Sequence, residues 1–144
     1  MPKPRILIVD DEERFVTTLA KRLIERELEV VVGVYSGKEA IEEARNNTYD
    51  VIILDVKMPG LDGVETLREM KRIDPGIEVI MLTGHASVDS AVEGMRLGAY
   101  EYLMKPCEID ELMEKINGAY ELKEARDERI RQAEVRGMVD RRPG

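Results

Sequence analysis

One cysteine, one histidine, one phenylalanine and no tryptophan occur among the 144 residues of this chain. A lone cysteine, Cys107, cannot close an internal disulfide and suits a reducing compartment, the cytoplasm. With His85 the single histidine, no Cys/His set at zinc-ligand spacing exists. The longest apolar runs are four or five residues, far short of the roughly 20 that a membrane-spanning helix needs. No charged-then-apolar leader precedes the first such run, so secretion is not expected. An excess of positive charge is missing too. The net charge is −8, and nonspecific nucleic-acid binding needs a basic face. Residues 1–122 carry 15 Lys+Arg against 25 Asp+Glu, whereas residues 123–144 carry 7 against 5. An acidic body thus precedes a mildly basic tail. The 43% of hydrophobic residues suffices for one core, and the length for one domain.

Five short apolar runs are present: Ile6–Val9, Val30–Val34, Val51–Leu54, Val79–Leu82 and Tyr102–Met104. Most are continuous rather than alternating, as strands covered on both faces should be. Helical spacing lies between them. Phe15, Leu19 and Leu23 repeat every fourth residue, flanked by Val16 and Ala20; Val88, Ala91, Val92 and Met95 give another stripe. Ser36-Gly-Lys-Glu39 and Asp62-Gly-Val-Glu65 predict helix starts by the capping box. Pro75-Gly76 and Leu97-Gly98 predict stops. The repeated strand–helix order predicts a parallel sheet with helices on both faces. A last amphipathic helix begins at Glu108 and turns mostly charged beyond Leu122. Its composition predicts helix to about Arg136, with Gly137 to Gly144 frayed or disordered.

The chemistry lies at the ends of the runs. The first is followed by Asp10 and Asp11, with Glu12 next, the third by Asp55, the fourth by Thr83, and the fifth by Lys105-Pro106. In a parallel α/β sheet these ends share one edge, where ligands bind. Crowded carboxylates repel unless a cation intervenes, and Mg²⁺ fits an oxygen donor set. Lys105 supplies a positive charge and Thr83 a hydroxyl donor, which suit a phosphoryl group in transfer. A carboxylate can be the nucleophile, giving an aspartyl phosphate. Taken alone, each residue is ordinary turn or capping chemistry. The whole set at four of the five strand ends is not.

These segments resemble the receiver domain of two-component response regulators over about residues 4–122. The matching stretches are Ile6-Leu-Ile-Val-Asp-Asp11, Val51-Ile-Ile-Leu-Asp55, Met58-Pro-Gly-Leu-Asp-Gly63, Leu82-Thr-Gly84 and Gly98-Ala-Tyr-Glu-Tyr-Leu-Met-Lys-Pro106. The resemblance implies a flavodoxin-like doubly wound five-stranded parallel sheet, order 2-1-3-4-5, with an extended C-terminal helix. It implies Asp55 as phosphoacceptor and Asp11 and Asp55 as side-chain Mg²⁺ ligands. Asp10 would act through water and the Lys57 backbone carbonyl directly. It further implies Lys105 as the phosphate-pairing lysine before a cis peptide at Pro106, Thr83 as the switch hydroxyl and Tyr102 as the switch aromatic. Lys57 and His85 match positions that influence phosphate lifetime. The implied partners are a sensor histidine kinase or phosphotransfer protein and a downstream effector, with no direct contact to nucleic acid or membrane.

Residues 123–144 resemble the linkers of enhancer-binding (NtrC-type) regulators, which makes a homodimer an expectation. The seam of Ala125, Ile130 and Ala133 is weak for a coiled coil, and the face of the fourth helix, fifth strand and fifth helix is an equal candidate. Two competing readings are an enzyme acting on external phosphoesters and a scaffold without phosphate. Against the first, Val56-Lys57 follows the acceptor where a second aspartate could serve as acid. Against the second, no acidic or lysine position is missing. Cys107 reads as a small half-buried residue.

Overall fold

In the computed structural model, which describes residues 3–140, the five apolar runs are five parallel strands. The elements are β1 (Arg5–Val9), α1 (Glu13–Glu25), β2 (Val30–Val34), α2 (Gly37–Asn46), β3 (Val51–Leu54), α3 (Gly63–Ile73), β4 (Glu78–Thr83), α4 (Val88–Arg96), β5 (Glu101–Met104) and α5 (Ile109–Asp140). The sheet order is β2-β1-β3-β4-β5, as expected. Every residue of β3 and β4 is buried, whereas the edge strands β2 and β5 are only partly covered. Continuous apolar runs belong to strands covered on both sides, and the side-chain period of two sorts them into two layers. Leu7, Val9, Ile52, Leu54, Val79 and Met81 pack with Ala40, Leu67 and Met70. Ile6, Ile8, Val51, Ile53, Ile80 and Leu82 pack with Val16, Leu19 and Leu23 of α1 and Leu112, Ile116 and Ala119 of α5.

Helix starts follow the expected caps. The Ser36 hydroxyl accepts from the Glu39 amide at 3.1 Å, and Asp62 Oδ1 from the Glu65 amide at 2.9 Å. Gly98, with φ of 100°, ends α4 in a conformation that side chains with a Cβ disfavour. The first residue of α3, Gly63, lies against the chain leaving β3 and donates to the Val56 carbonyl at 2.7 Å.

The stripe on α4 departs from expectation. A periodic apolar face usually meets the core, yet Val88, Val92 and Met95 are 77%, 57% and 46% exposed. Gly94 is the buried residue of α4, so the helix lies on the sheet by its glycine side. Its apolar side is left open, and Met104 of the neighbouring edge strand β5 is exposed as well.

The last helix extends past the expected end near Arg136 to Asp140; residues 141–144, part of the expected frayed tail, lie outside the described residues. The spacing of Leu112, Ile116 and Ala119 continues into Lys123 and Arg126, which reach acidic residues at the base of the sheet. Lys123 Nζ pairs with Asp50 at 3.1 Å and Asp127 at 3.0 Å. The Arg126 guanidinium pairs with Glu78 at 2.8 Å, and Glu78 is buried in the first position of β4. Removing the partner of a buried carboxylate leaves an uncompensated charge, which costs about 3–5 kcal/mol in a dry site. Because Arg126 is a third exposed, water screens part of this. Arg126→Ala is therefore expected to lower unfolding free energy by about 2 kcal/mol in a urea titration, and Arg126→Ala with Glu78→Gln to recover part of the loss.

Candidate functional site

The sheet's carboxyl edge is built from ladder bonds that continue one residue past each strand. The Asp10 amide donates to the Val34 carbonyl at 3.2 Å, the Asp55 amide to Val9 at 2.9 Å, and the Lys105 amide to Thr83 at 2.8 Å. The backbone of each functional residue is thereby fixed by its neighbouring strand. Asp10 and Asp55 are 1% and 3% exposed, Thr83 is fully buried and Asp11 is exposed. One carboxylate oxygen from each of Asp10, Asp11 and Asp55 falls within 4.8 Å of the others.

Lys105 enters this cluster from β5. Its ammonium lies 2.7 Å from Asp10 Oδ2, 3.3 Å from Glu12 Oε1 and 4.0 Å from the centre of the Phe15 ring. The Lys105–Pro106 peptide is cis, as the resemblance implied. Asp10 Oδ1 accepts from the Glu12 amide at 2.9 Å, and Asp55 Oδ1 from the Val56 amide at 2.9 Å. Burial pushes the Asp55 carboxyl above its ordinary pKa. The Asp10 carboxylate adds to this, while the Thr83 hydroxyl, Lys105 and the Val56 amide oppose it. Burial alone would lower the Lys105 ammonium; its hydrogen bond and charge pairing with Asp10, helped by Asp55 and Glu12, more than offset this, so its pKa is raised. The site is thus a set of oxygen donors with one permanent cation, and no cysteine or histidine sulfur or nitrogen joins the cluster. Such a donor set fits a hard divalent ion.

Lys57 is exposed and lines a cleft with Asp11, Glu12, Asp55, Met58, Pro59 and His85. The Thr83 hydroxyl accepts from the His85 amide at 3.0 Å. Tyr102 is half-buried, and its hydroxyl lies 2.6 Å from Ser90 Oγ and 3.4 Å from the Ser87 amide. It therefore joins β5 to the first turn of α4 rather than standing free. Burial, then the Glu111 and Glu108 carboxylates, push the Cys107 thiol up, which disfavours thiolate chemistry. A larger groove of about 850 Å³ between α2 and the loop after β3, lined by Ser36, Ile41, Arg45 and Pro59, gathers no comparable set of acids. The contacts of Glu12 and Phe15 with Lys105 were not foreseen. Glu12 is the third acid after β1, but the spacing of Phe15 signals only a helical stripe, and nothing local pairs it with Lys105.

Comparison with known proteins agrees with this fold. The family model described as "Response regulator receiver domain" matches residues 6–117. The transcriptional regulatory protein ZraR of Salmonella typhimurium is 37% identical over 114 residues, 79% of this chain and 26% of that protein. The uncharacterized transcriptional regulatory protein YkoG of Bacillus subtilis is 40% identical over 119 residues, 83% of this chain and 52% of that protein. The chain thus spans between a quarter and about half the length of these curated relatives. A CheY-like receiver domain from Methanospirillum hungatei superposes with TM-score 0.82 at 31% identity, covering 87% of this chain and 99% of that one. The beryllofluoride-activated NtrC4 receiver domain, solved as a dimer, gives 0.77 at 37% identity, covering 83% and 98%. With the family model spanning most of the chain and whole receiver domains superposing on it, this protein belongs to the response regulator receiver domain family.

Proposed function

We propose that Asp55 accepts a phosphoryl group from a phosphohistidine on a sensor histidine kinase or phosphotransfer protein, and that the adduct switches a partner-binding or dimerisation face. The observation that carries this reading is the buried Asp55 carboxylate, with Asp10, Asp11, Thr83 and Lys105 gathered around it. The Val56 amide holds one Asp55 oxygen and fixes the carboxylate plane. In the transfer an Asp55 oxygen attacks phosphorus, the P–N bond breaks, and the imidazole departs. Asp10, Asp11 and Asp55, with the Lys57 carbonyl, are the groups to hold Mg²⁺, Asp10 through water. Mg²⁺ bound there would supply charge neutralisation for the phosphoryl oxygens. Lys105 adds a fixed positive charge, and the Thr83 hydroxyl, at the end of β4, donates to a phosphoryl oxygen.

Catalysis on this reading is confined to the chain's own phosphorylation and dephosphorylation. Incubation with acetyl phosphate and Mg²⁺, followed by intact mass, tests it: one phosphoryl group is expected, and none would overturn the reading. Lys57 and His85 line the cleft that opens onto Asp55, and on this reading their side chains restrict the approach of attacking water. Trimming either to alanine is expected to shorten the half-life of the phosphoprotein by about threefold, a barrier change of under 1 kcal/mol.

Phosphate can bias an equilibrium only through contacts that differ between states. Thr83 and Tyr102 are the proposed carriers, since Thr83 leads directly to His85 and Tyr102 bonds to Ser90 on α4. The exposure of Val88, Val92 and Met95 on α4 and of Met104 on β5 supports the face of α4, β5 and α5 as the output surface, for an effector or a second copy. Thr83→Ala is expected to keep the phosphoryl adduct yet lose the backbone amide shifts that beryllofluoride with Mg²⁺ induces across residues 83–105 of wild type. No helix among the described residues is long and apolar enough to cross a membrane, and a cytoplasmic site of action accords with a kinase donor. Direct contact with nucleic acid is not part of the proposal.

A further inference from the structure

An ammonium group has three hydrogens to place, and Lys105 has three neighbours for them: Asp10, Glu12 and the ring of Phe15. All three belong to the loop after β1 and the first turn of α1. By spacing, Phe15 heads the helical stripe of Phe15, Leu19 and Leu23. Leu19 and Leu23 are indeed buried, but Phe15 is only half-covered. Its ring edges the groove of Thr18, Leu19, Arg22, Leu82 and Cys107 and reaches the functional site at Lys105.

We propose that Phe15 is a positioning residue for phosphoryl transfer, whose ring holds the Lys105 ammonium in the site when Asp10 turns toward the divalent ion. This rests on the reading of Asp55 as phosphoacceptor. Asp10 is claimed twice, as the 2.7 Å partner of Lys105 and as a member of the acidic cluster. A lysine that loses such a partner regains the rotamers of a four-carbon stem. Glu12 is a weak substitute, because its side chain is 64% exposed and solvent screens the pair. The ring differs from both carboxylates in kind. It attracts the ammonium through its quadrupole, offers no oxygen to a metal, and leaves the positive charge available to phosphoryl oxygens. A carboxylate in its place would cancel that charge. An aliphatic side chain would fill the same space and hold nothing.

Two measurements test this. The chain has one phenylalanine, so its effect on Lys105 is separable from that of other residues of its kind. In metal-free, unphosphorylated protein, the Lys105 ε-methylene protons are expected to show an upfield ring-current shift that Phe15→Leu abolishes. Next, phosphorylation rates with acetyl phosphate and Mg²⁺ are compared for protein carrying phenylalanine with none, one, two or three ring fluorines at position 15. Fluorination drains the quadrupole with little change in shape. The rate is expected to fall stepwise, to about a tenth in Phe15→Leu, to recover in Phe15→Tyr, and to be flat across the series in a Lys105→Ala background. Absence of the ring-current shift, rates indifferent to fluorine in a wild type that does take up phosphate, or a decline that persists without Lys105 would each overturn the inference alone. A wild type that gains no phosphoryl group overturns the phosphoacceptor reading and this one together.

Discussion

Asp55→Asn is expected to gain no phosphoryl group from acetyl phosphate and Mg²⁺, and also to melt at a higher temperature than wild type at pH 7 without divalent ions. The two effects have one origin. Burial raises the Asp55 pKa above the ordinary value, with the Asp10 charge adding to it. An acid whose pKa is higher folded than unfolded binds its proton more tightly in the native state. The stability this contributes is full below the unfolded pKa and is lost as pH rises through the folded one. Above the unfolded pKa, ionising this carboxylate thus costs the native state more than the unfolded chain, a cost that an uncharged amide of the same shape avoids. The Val56 amide can still donate to the side-chain oxygen at this position. A gain of a few degrees in melting temperature is expected, shrinking as pH falls toward the unfolded value. Mg²⁺ should reverse the ranking, since a ligand at about 100 times its Kd adds about 2.7 kcal/mol to the protein that binds it. Scanning calorimetry with and without Mg²⁺, beside intact mass, measures all of this. An adduct on Asp55→Asn would place the acceptor elsewhere; equal melting temperatures would remove the account of a strained carboxylate.

Gly63→Ala is expected to be among the most damaging single-atom additions in the chain. A methyl group on Gly63 would run into the Asp55 backbone carbonyl oxygen and stand 2.6 Å from the Val56 Cα and 2.9 Å from the Asp55 carbonyl carbon. Carbon atoms in contact prefer about 3.5–4.0 Å. The obstacle is backbone already tied to β1 through the Asp55 amide, so it cannot turn aside as a flexible side chain would. Overpacking of this kind costs about 1–3 kcal/mol and sometimes more, and a loss of about 3 kcal/mol or more in a urea titration is expected here. Relief by moving α3 away from β3 would break the bond from the Gly63 amide to the Val56 carbonyl and loosen the chain beside the proposed acceptor, Asp55. The surviving folded fraction should therefore also take up phosphate more slowly than wild type. A variant with wild-type stability would mean that α3 can withdraw without consequence.

Much of the site could be read from the chain before its structure. Asp10, Asp55, Thr83 and Lys105 each stand at the end of an apolar run, and parallel strands bring such ends to one edge whatever lies between them. The helix caps at Ser36 and Asp62 were legible for a similar reason, since a cap is decided within four residues. What escaped notice depends on distant neighbours. The α4 stripe of Val88, Val92 and Met95 has the period of a buried face, but a period says only that one side is apolar and never what covers it. Gly94 decided which side met the sheet. Nor does any local pattern pair Glu78 with Arg126, or bring the Tyr102 hydroxyl to Ser90. Phe15 does pack against the core beside Leu19 and Leu23, as its spacing implies, but only the arrival of β5 gives its ring an ion to face.

The 32-residue length of α5 has a mechanical consequence. Lys123 and Arg126 bolt the helix to the foot of β3 and β4, and about 14 further residues at ~1.5 Å each extend beyond that fulcrum, an arm of about 21 Å. A tilt of about 10° there would sweep Asp140 sideways by about 4 Å. Displacements too small to notice at the sheet would thus arrive enlarged at whatever grips the end of the rod.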